Sequence, residues 1–162
     1  MKYFIFLVMA LTGFFSESWA QITTAPIEEV PSEYDTVLAG NAGVVTFQAV
    51  PAGTWLLEFD PSVAVVIGNS GSVSALGGGF WFGSLYNIVS DAPHGAVLFR
   101  TKEGDPWGIC RQTDKGGLLV ARCEVETDEN GEFQLTINDS DPSNNQGFFR
   151  FKGTLVEEKK AE

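Results

Sequence analysis

The sequence predicts an all-β domain, a β-sandwich or jelly roll, on three observations. Short segments with period-two alternation of apolar residues recur along the chain, as in Trp55, Leu57 and Phe59 or in Phe133, Leu135 and Ile137. Between them lie clusters of Gly, Pro, Asn and Asp, the residues that cap turns and tolerate left-handed backbone. No stretch sustains a helical period. Strands at short spacing joined by such turns are the pattern of two packed antiparallel sheets.

The first twenty residues stand apart. Met1-Lys2-Tyr3, the apolar run from Phe4 to Leu11 and the small-x-small triplet Ser18-Trp19-Ala20 have the layout of a secretory signal cut after Ala20. The apolar run is too short to span a bilayer, and no later stretch is long and apolar enough to be a membrane helix. The expectation is a secreted or periplasmic chain of about 140 residues, which suits one domain with one core. Residues 21–35, with Pro26, Pro31 and several carboxylates, read as an extended lead-in. The domain is placed at 36–156, and 157–162 form a charged tail.

Within the domain the strands are expected in this order. Val44 to Val50 is β-branched and aromatic, and Pro51-Ala52-Gly53 turns it. Thr54 to Asp60 alternates and stops at Pro61. Val63 to Ile67 is a continuous apolar run, as in a core strand. Residues 68–84 carry six Gly around Phe80-Trp81-Phe82, itself a short strand candidate; no Lys-Ser/Thr pair or helix follows, so this is not a phosphate-binding loop. Gly95 to Arg100, Trp107 to Cys110 and Leu118 to Val125 come next. Asp128-Glu129-Asn130-Gly131 then gives a hairpin signal before the strand of Phe133, Leu135 and Ile137. The last strands hold Phe149 and Phe151 on one face, with Gly153 to Val156 completing them.

The formal net charge is −11, and it is unchanged by removal of Lys2 and Glu17 with the signal. Such a surface disfavours nucleic acid and anionic membrane surfaces and is compatible with cation binding. The two cysteines, Cys110 and Cys123, allow one pairing within the chain, and an oxidising compartment makes a disulfide the default. Closing that loop contributes about 3 kcal/mol on the chain-entropy model.

Enzymatic motifs are lacking. No nucleophile elbow occurs. His94, between Pro93 and Gly95, is the only histidine and reads as a solvated turn residue. Zinc is disfavoured by a lone His and paired Cys, and no carboxylate stands alone on an apolar strand where burial would raise its pKa. The expectation is a non-catalytic protein. Trp55 reads as core; Trp81, set among glycines, is the better aromatic for stacking on a sugar ring, and Trp107, Tyr86 and Phe80 are further aromatics near loop ends.

The densest chemistry is in Asn138-Asp139-Ser140-Asp141-Pro142-Ser143-Asn144-Asn145, between two strand segments and closed by Gly147. Calcium takes six to eight oxygen ligands, and a compact loop of Asp and Asn supplies several at once. Asp139-x-Asp141 matches the opening of an EF-hand, but the distal Gly and Glu are missing. The same residues are also those of an ordinary tight connection. Asn138-Asp139-Ser140 is formally a glycosylation triplet.

Gly95-Ala96-Val97-Leu98-Phe99-Arg100, Trp107-Gly108, Gly131 to Asp139 and Asn144-Asn145-x-Gly147-x-Phe149 occur in this order, with Ala52-Gly53-Thr54-Trp55 upstream. Together they resemble the galactose-binding-like β-sandwich of the bacterial calcium-dependent galactophilic lectins, over roughly residues 36–156. The resemblance implies calcium held by Asp139, Asn144 and Asn145, with a loop carbonyl between Ser140 and Ser143 and a carbonyl near Glu58 completing the shell; Asp141 belongs to the same oxygen-rich set. It implies a carbohydrate or glycoconjugate partner, contacted by Asp139, Asn144 and Asn145 through the ion, and a possible homo-oligomer. Two departures qualify it. The loop is two residues shorter than in the galactose-specific lectin, and the family's sugar-contacting His and Gln are not reproduced, although His94 lies near that place. Galactose is therefore one sugar among several, and an envelope structural or adhesion domain with a stabilising calcium site, or none, is the alternative.

Overall fold

The computed structural model describes residues 33–49, 51–68, 71–77 and 85–159. Eleven strands follow in chain order among the described residues: β1 (Glu33–Ala39), β2 (Val45–Gln48), β3 (Gly53–Phe59), β4 (Val65–Val66), β5 (Ser72–Val73), β6 (Val97–Arg100), β7 (Gly108–Ile109), β8 (Arg111–Lys115), β9 (Leu118–Glu126), β10 (Glu132–Ile137) and β11 (Gln146–Glu158). They form two antiparallel sheets. The larger runs β5-β4-β11-β3-β9-β8, with β1 also paired to β11; the smaller runs β2-β10-β6-β7. The expected all-β, two-sheet sandwich is what forms.

The alternation read from the sequence sets the inner faces. Gly53, Trp55, Leu57 and Phe59 are buried along β3 while Thr54, Leu56 and Glu58 face outward. On β11, Phe149, Phe151 and Gly153 point in and Phe148, Arg150 and Lys152 point out. The sheets meet through rings. Phe47 of the small sheet stacks on Phe133 at 5.4 Å and meets Phe151 of the large sheet edge-on, also at 5.4 Å. Phe59 continues the cluster, 5.1 Å from Phe151 and 6.4 Å from Phe149. Offset and edge-to-face pairs of this kind each add about 1 kcal/mol beyond burial.

Cys110, between β7 and β8, is bonded to Cys123 of β9, with Cα atoms 4.5 Å apart. The crosslink closes the base of the β8–β9 hairpin, whose two-residue turn is Gly116-Gly117. Both glycines have positive φ, 66° and 90°, as a type I′ turn requires.

Several expectations are corrected. The Asp128–Gly131 turn forms, with Gly131 N–H donating to Asp128 O at 3.1 Å, but it is not a hairpin. It carries the chain from β9 in the large sheet to β10 in the small one. Val63 to Ile67 gives Val65 and Ile67 to the core, but only Val65 and Val66 pair, near the sheet edge, and Val66 is exposed, so the run is not buried on both faces. β1 begins at Glu33, within the expected lead-in, and the final strand runs through Glu158, within the expected tail. β8 has no counterpart among the expected strands, because Arg111-Gln112-Thr113-Asp114-Lys115 has no apolar face. As an edge strand it has none to bury, and charge there discourages edge-to-edge pairing. The signal segment and Phe80-Trp81-Phe82 lie outside the described residues.

Candidate functional site

β10 ends in the small sheet at Ile137 and β11 begins in the large sheet at Gln146. The oxygen-rich segment 138–145 is therefore an arch between sheets at one end of the sandwich. Its shape follows from local chemistry. Asp139 Oδ1 accepts from Asp141 N–H at 3.0 Å, an Asx turn. Asp141 then caps a single 3-10 turn, Pro142–Asn144. Its Oδ1 accepts from the Ser143 hydroxyl at 2.6 Å and from Ser143 N–H at 3.3 Å. Pro142 follows the cap, where its missing N–H is not needed. Asn145 N–H donates to Pro142 O at 3.0 Å and closes the turn.

Asn145 is 3% exposed and Asp139 6%. The Asn145 amide is oriented by Gly40: Nδ2 donates to Gly40 O at 3.2 Å, while Gly40 N–H donates to Gly147 O at 2.9 Å. This leaves Asn145 Oδ1 buried without a hydrogen-bond partner among the described residues. Leaving a buried acceptor unsatisfied costs about 1–3 kcal/mol, so the atom requires an explanation. Asn144 and Asp141 are exposed on the same arch. Asn144 lies over Gly68, where a Cβ would stand 3.1 Å from its Oδ1.

The donor set decides which ions the arch could hold. Among the described residues no three His, Cys, Asp or Glu side chains gather to hold a metal. The arch instead offers two carboxylates, Asp139 and Asp141, with the amide oxygens of Asn144 and Asn145 and its own carbonyls. Oxygen-only donors of low charge suit calcium and do not suit zinc.

Asn138, at the root of the arch, is fully buried and is a framework residue. Its Oδ1 accepts from Val89 N–H at 2.8 Å, and its Nδ2 lies 3.0, 3.0 and 3.1 Å from the carbonyls of Val89, Ala92 and Pro93. This pins segment 85–94 beside the arch. Ser140 adds two bonds, from its N–H to Tyr86 O at 3.0 Å and from its hydroxyl to Leu85 O at 3.1 Å. With its amide so engaged, the Asn138 triplet is not accessible for glycosylation in the folded chain.

His94 corrects the expectation of a solvated turn residue. It is 6% exposed, and its Nδ1 lies 2.7 Å from Asn87 Oδ1, whose own Nδ2 donates to Ala92 O. The ring therefore shapes the segment from within. Glu58 is not brought to the arch. It sits on the outer face of the large sheet, where Lys115 Nζ donates to its Oε2 at 2.6 Å and Arg122 Nε lies 3.4 Å from its Oε1. Its cross-strand partner Lys152 is five residues along β11 from Gly147, about 16 Å at the strand rise. At Asn145, the carbonyl that reaches the arch is that of Gly40. Trp81 lies outside the described residues. Trp55 is core, as expected, and Trp107 lies under the Arg100 guanidinium at 4.3 Å.

Neither the Gly40 clip nor the Asn138 hub is visible as a motif, because both join segments remote in sequence. Comparison of the chain with models of protein families, with characterised proteins and with solved structures finds no match. The disulfide is consistent with an extracellular or periplasmic location. No helix among the described residues is long and apolar enough to cross a membrane.

Proposed function

We propose that this protein is a non-catalytic, secreted or periplasmic lectin-like module that holds calcium in the 138–145 arch and binds carbohydrate through it. One observation carries the reading: the buried, unpartnered Oδ1 of Asn145 on the same short arch as the buried carboxylate of Asp139. A hard cation would satisfy that oxygen, which nothing else among the described residues does. Asp139, Asn144 and Asn145 are the ligands, with Asp141 at the exposed side and an arch carbonyl completing the set. The bound ion supplies coordination positions at which vicinal sugar hydroxyls replace water. The chain's part is to hold the oxygens apart at fixed spacing, through the Asp139–Asp141 turn and the Asn145–Gly40 bond. The likeness of Asn138-Asp139 and Asn144-Asn145-x-Gly147 to the galactophilic lectin loop supports the same reading.

The test is calorimetry of chelator-treated protein with calcium chloride, followed by a glycan array with and without calcium. Calcium heat together with calcium-dependent glycan signal is expected; absence of both removes the proposal. A second reading is a purely stabilising ion in an envelope structural or adhesion domain, favoured by the position of the arch between the two sheets. Under it calcium raises the melting temperature by mass action, and no sugar competes for the site.

A further inference from the structure

Arg111 and Arg122 stand directly opposite each other on β8 and β9. Residues paired in this way put their side chains on one face of the sheet, with Cβ atoms about 5 Å apart, and like charges there repel. Cys110 precedes one arginine and Cys123 follows the other, so the disulfide ties the two strands beside the pair. The crosslink holds two cations at close spacing in a chain whose formal net charge is −11. Glu58 offsets only part of that charge. Its Oε1 lies 3.4 Å from Arg122 Nε, while its Oε2 accepts from Lys115 Nζ at 2.6 Å, so one carboxylate serves two cations. Arg122 Nε is buried without a hydrogen bond among the described residues. Arg111 is exposed, and its side chain makes no ion pair or hydrogen bond among them.

Both arginines line a groove of about 540 Å³ on the outer side of the large sheet. Small-molecule sites span about 300–1,000 Å³. Leu56, Phe99 and Ile109 give the groove an apolar part, Thr113 contributes to its lining, and Glu124 is the carboxylate there. We infer that the groove is a site for a small organic oxyanion, a carboxylate carried on an apolar body. The anion bridges Arg111 and Arg122 and cancels their repulsion, and the planar guanidinium fork matches a carboxylate through paired N–H···O bonds. The apolar body lies against Leu56 and Ile109. None of these residues belongs to the 138–145 arch, so the site is independent of calcium.

The experiment titrates oxidised, isotope-labelled protein with sodium benzoate, benzamide and sodium sulfate at constant ionic strength, read by amide shifts in NMR. Benzoate is expected to bind with a dissociation constant of about a millimolar, as suits so small a ligand, and to shift the amides of Arg111, Thr113 and Arg122. Benzamide, which keeps the shape without the charge, and sulfate, which keeps the charge without the apolar body, are expected to bind more weakly. Arg111→Gln is expected to weaken benzoate by about tenfold at an unchanged melting temperature, since the exposed side chain has no partner to lose. Glu124→Gln is expected to strengthen it by about threefold, through loss of a like charge. Lys102→Gln, a cation outside the groove, is expected to leave it unchanged. Benzoate affinity in Arg111→Gln within twofold of the parent overturns the inference. So does benzamide or sulfate binding as tightly as benzoate.

Discussion

Asn138 and Val89 exchange two hydrogen bonds: Val89 N–H donates to Asn138 Oδ1 at 2.8 Å, and Asn138 Nδ2 donates back to Val89 O at 3.0 Å. A side-chain amide here imitates the backbone of a neighbouring strand and satisfies a segment that has no ladder of its own. Because Asn138 is fully buried, its removal takes the acceptor from Val89 N–H and one donor from each carbonyl of Val89, Ala92 and Pro93, which keep only Ala92 N–H, Asn87 Nδ2 and Ala96 N–H. Asn138→Ala is expected to lower stability by about 3 kcal/mol or more in urea denaturation. Asn138→Asp is expected to be no better, since a carboxylate cannot donate to three carbonyls. Hydrogen exchange should show the loss concentrated at 85–94.

Two substitutions in the arch separate ion binding from folding. Asp139→Ala removes the buried carboxylate and is expected to weaken calcium binding by about a hundredfold or more, because ligand charge tunes affinity over decades. Asn145→Ala is expected to weaken it as well, with little loss of stability in calcium-free protein. The lost bond to Gly40 is offset there by removal of an unsatisfied oxygen. Calorimetry and calcium-free thermal melts read the two effects independently. Unchanged calcium affinity in both variants would place the ion elsewhere.

Native protein is expected to show no titratable thiol before reduction, since Cys110 and Cys123 are bonded and no free cysteine remains among the described residues. Reduction, or the double change to alanine, should cost about 3 kcal/mol. Two reactive thiols per native chain in a colorimetric assay would contradict the pairing.

Gly95 has φ +77°, and a Cβ there would stand 2.3 Å from Ile67 Cδ1 and 2.8 Å from Val73 Cγ2. Gly95→Ala combines left-handed strain with overpacking and is expected to cost about 2–4 kcal/mol in chemical denaturation. Gly104→Ala is the contrast: its φ is also positive, but open space surrounds it, so only the backbone strain remains.

Asp60 supplies the pH dependence that can be assigned. The Ser62 hydroxyl, then the Ser62 N–H, bonded to Asp60 Oδ1 at 2.6 and 2.9 Å, hold its carboxyl below the usual aspartate value. The group is therefore more acidic folded than unfolded. Its stabilisation is present at neutral pH and fades as pH falls below about 3.9, through the lower folded-state value. The carboxyl is almost fully solvated, so the effect is small. Ser62→Ala should move the Asp60 titration upward in an NMR pH series and barely change the melting temperature.

Much of this architecture is legible in the sequence because period-two burial is a local property. Trp55, Leu57 and Phe59, or Phe149 and Phe151, announce their inner face without reference to any partner. Sheet membership is not local. Asp128-Glu129-Asn130-Gly131 looks like a hairpin and is a turn between sheets, since turn chemistry fixes the reversal and not what the next strand pairs with. The polar strand β8 escapes notice because an outermost strand needs no apolar face. At the arch, Asp139, Asn144 and Asn145 stand out by composition. The burial of Asn145 and the role of Gly40 do not, for Gly40 is over a hundred residues away. His94 misleads for the same reason: Pro and Gly neighbours suggest solvent, whereas the ring is buried with Asn87 Oδ1 against its Nδ1.

The long strand β11 has one consequence for how the chain is made. It alone joins β1, β3 and β4, pairing Glu33 with Thr154 and Phe59 with Phe151. β11 is the last strand in chain order, so the large sheet cannot close until it has emerged during synthesis. Assembly is governed by contacts distant in sequence, which makes it slow compared with helical domains of similar size. Until β11 is available, β1, β3 and β4 lack their common partner and the phenylalanines they would cover stay open to solvent.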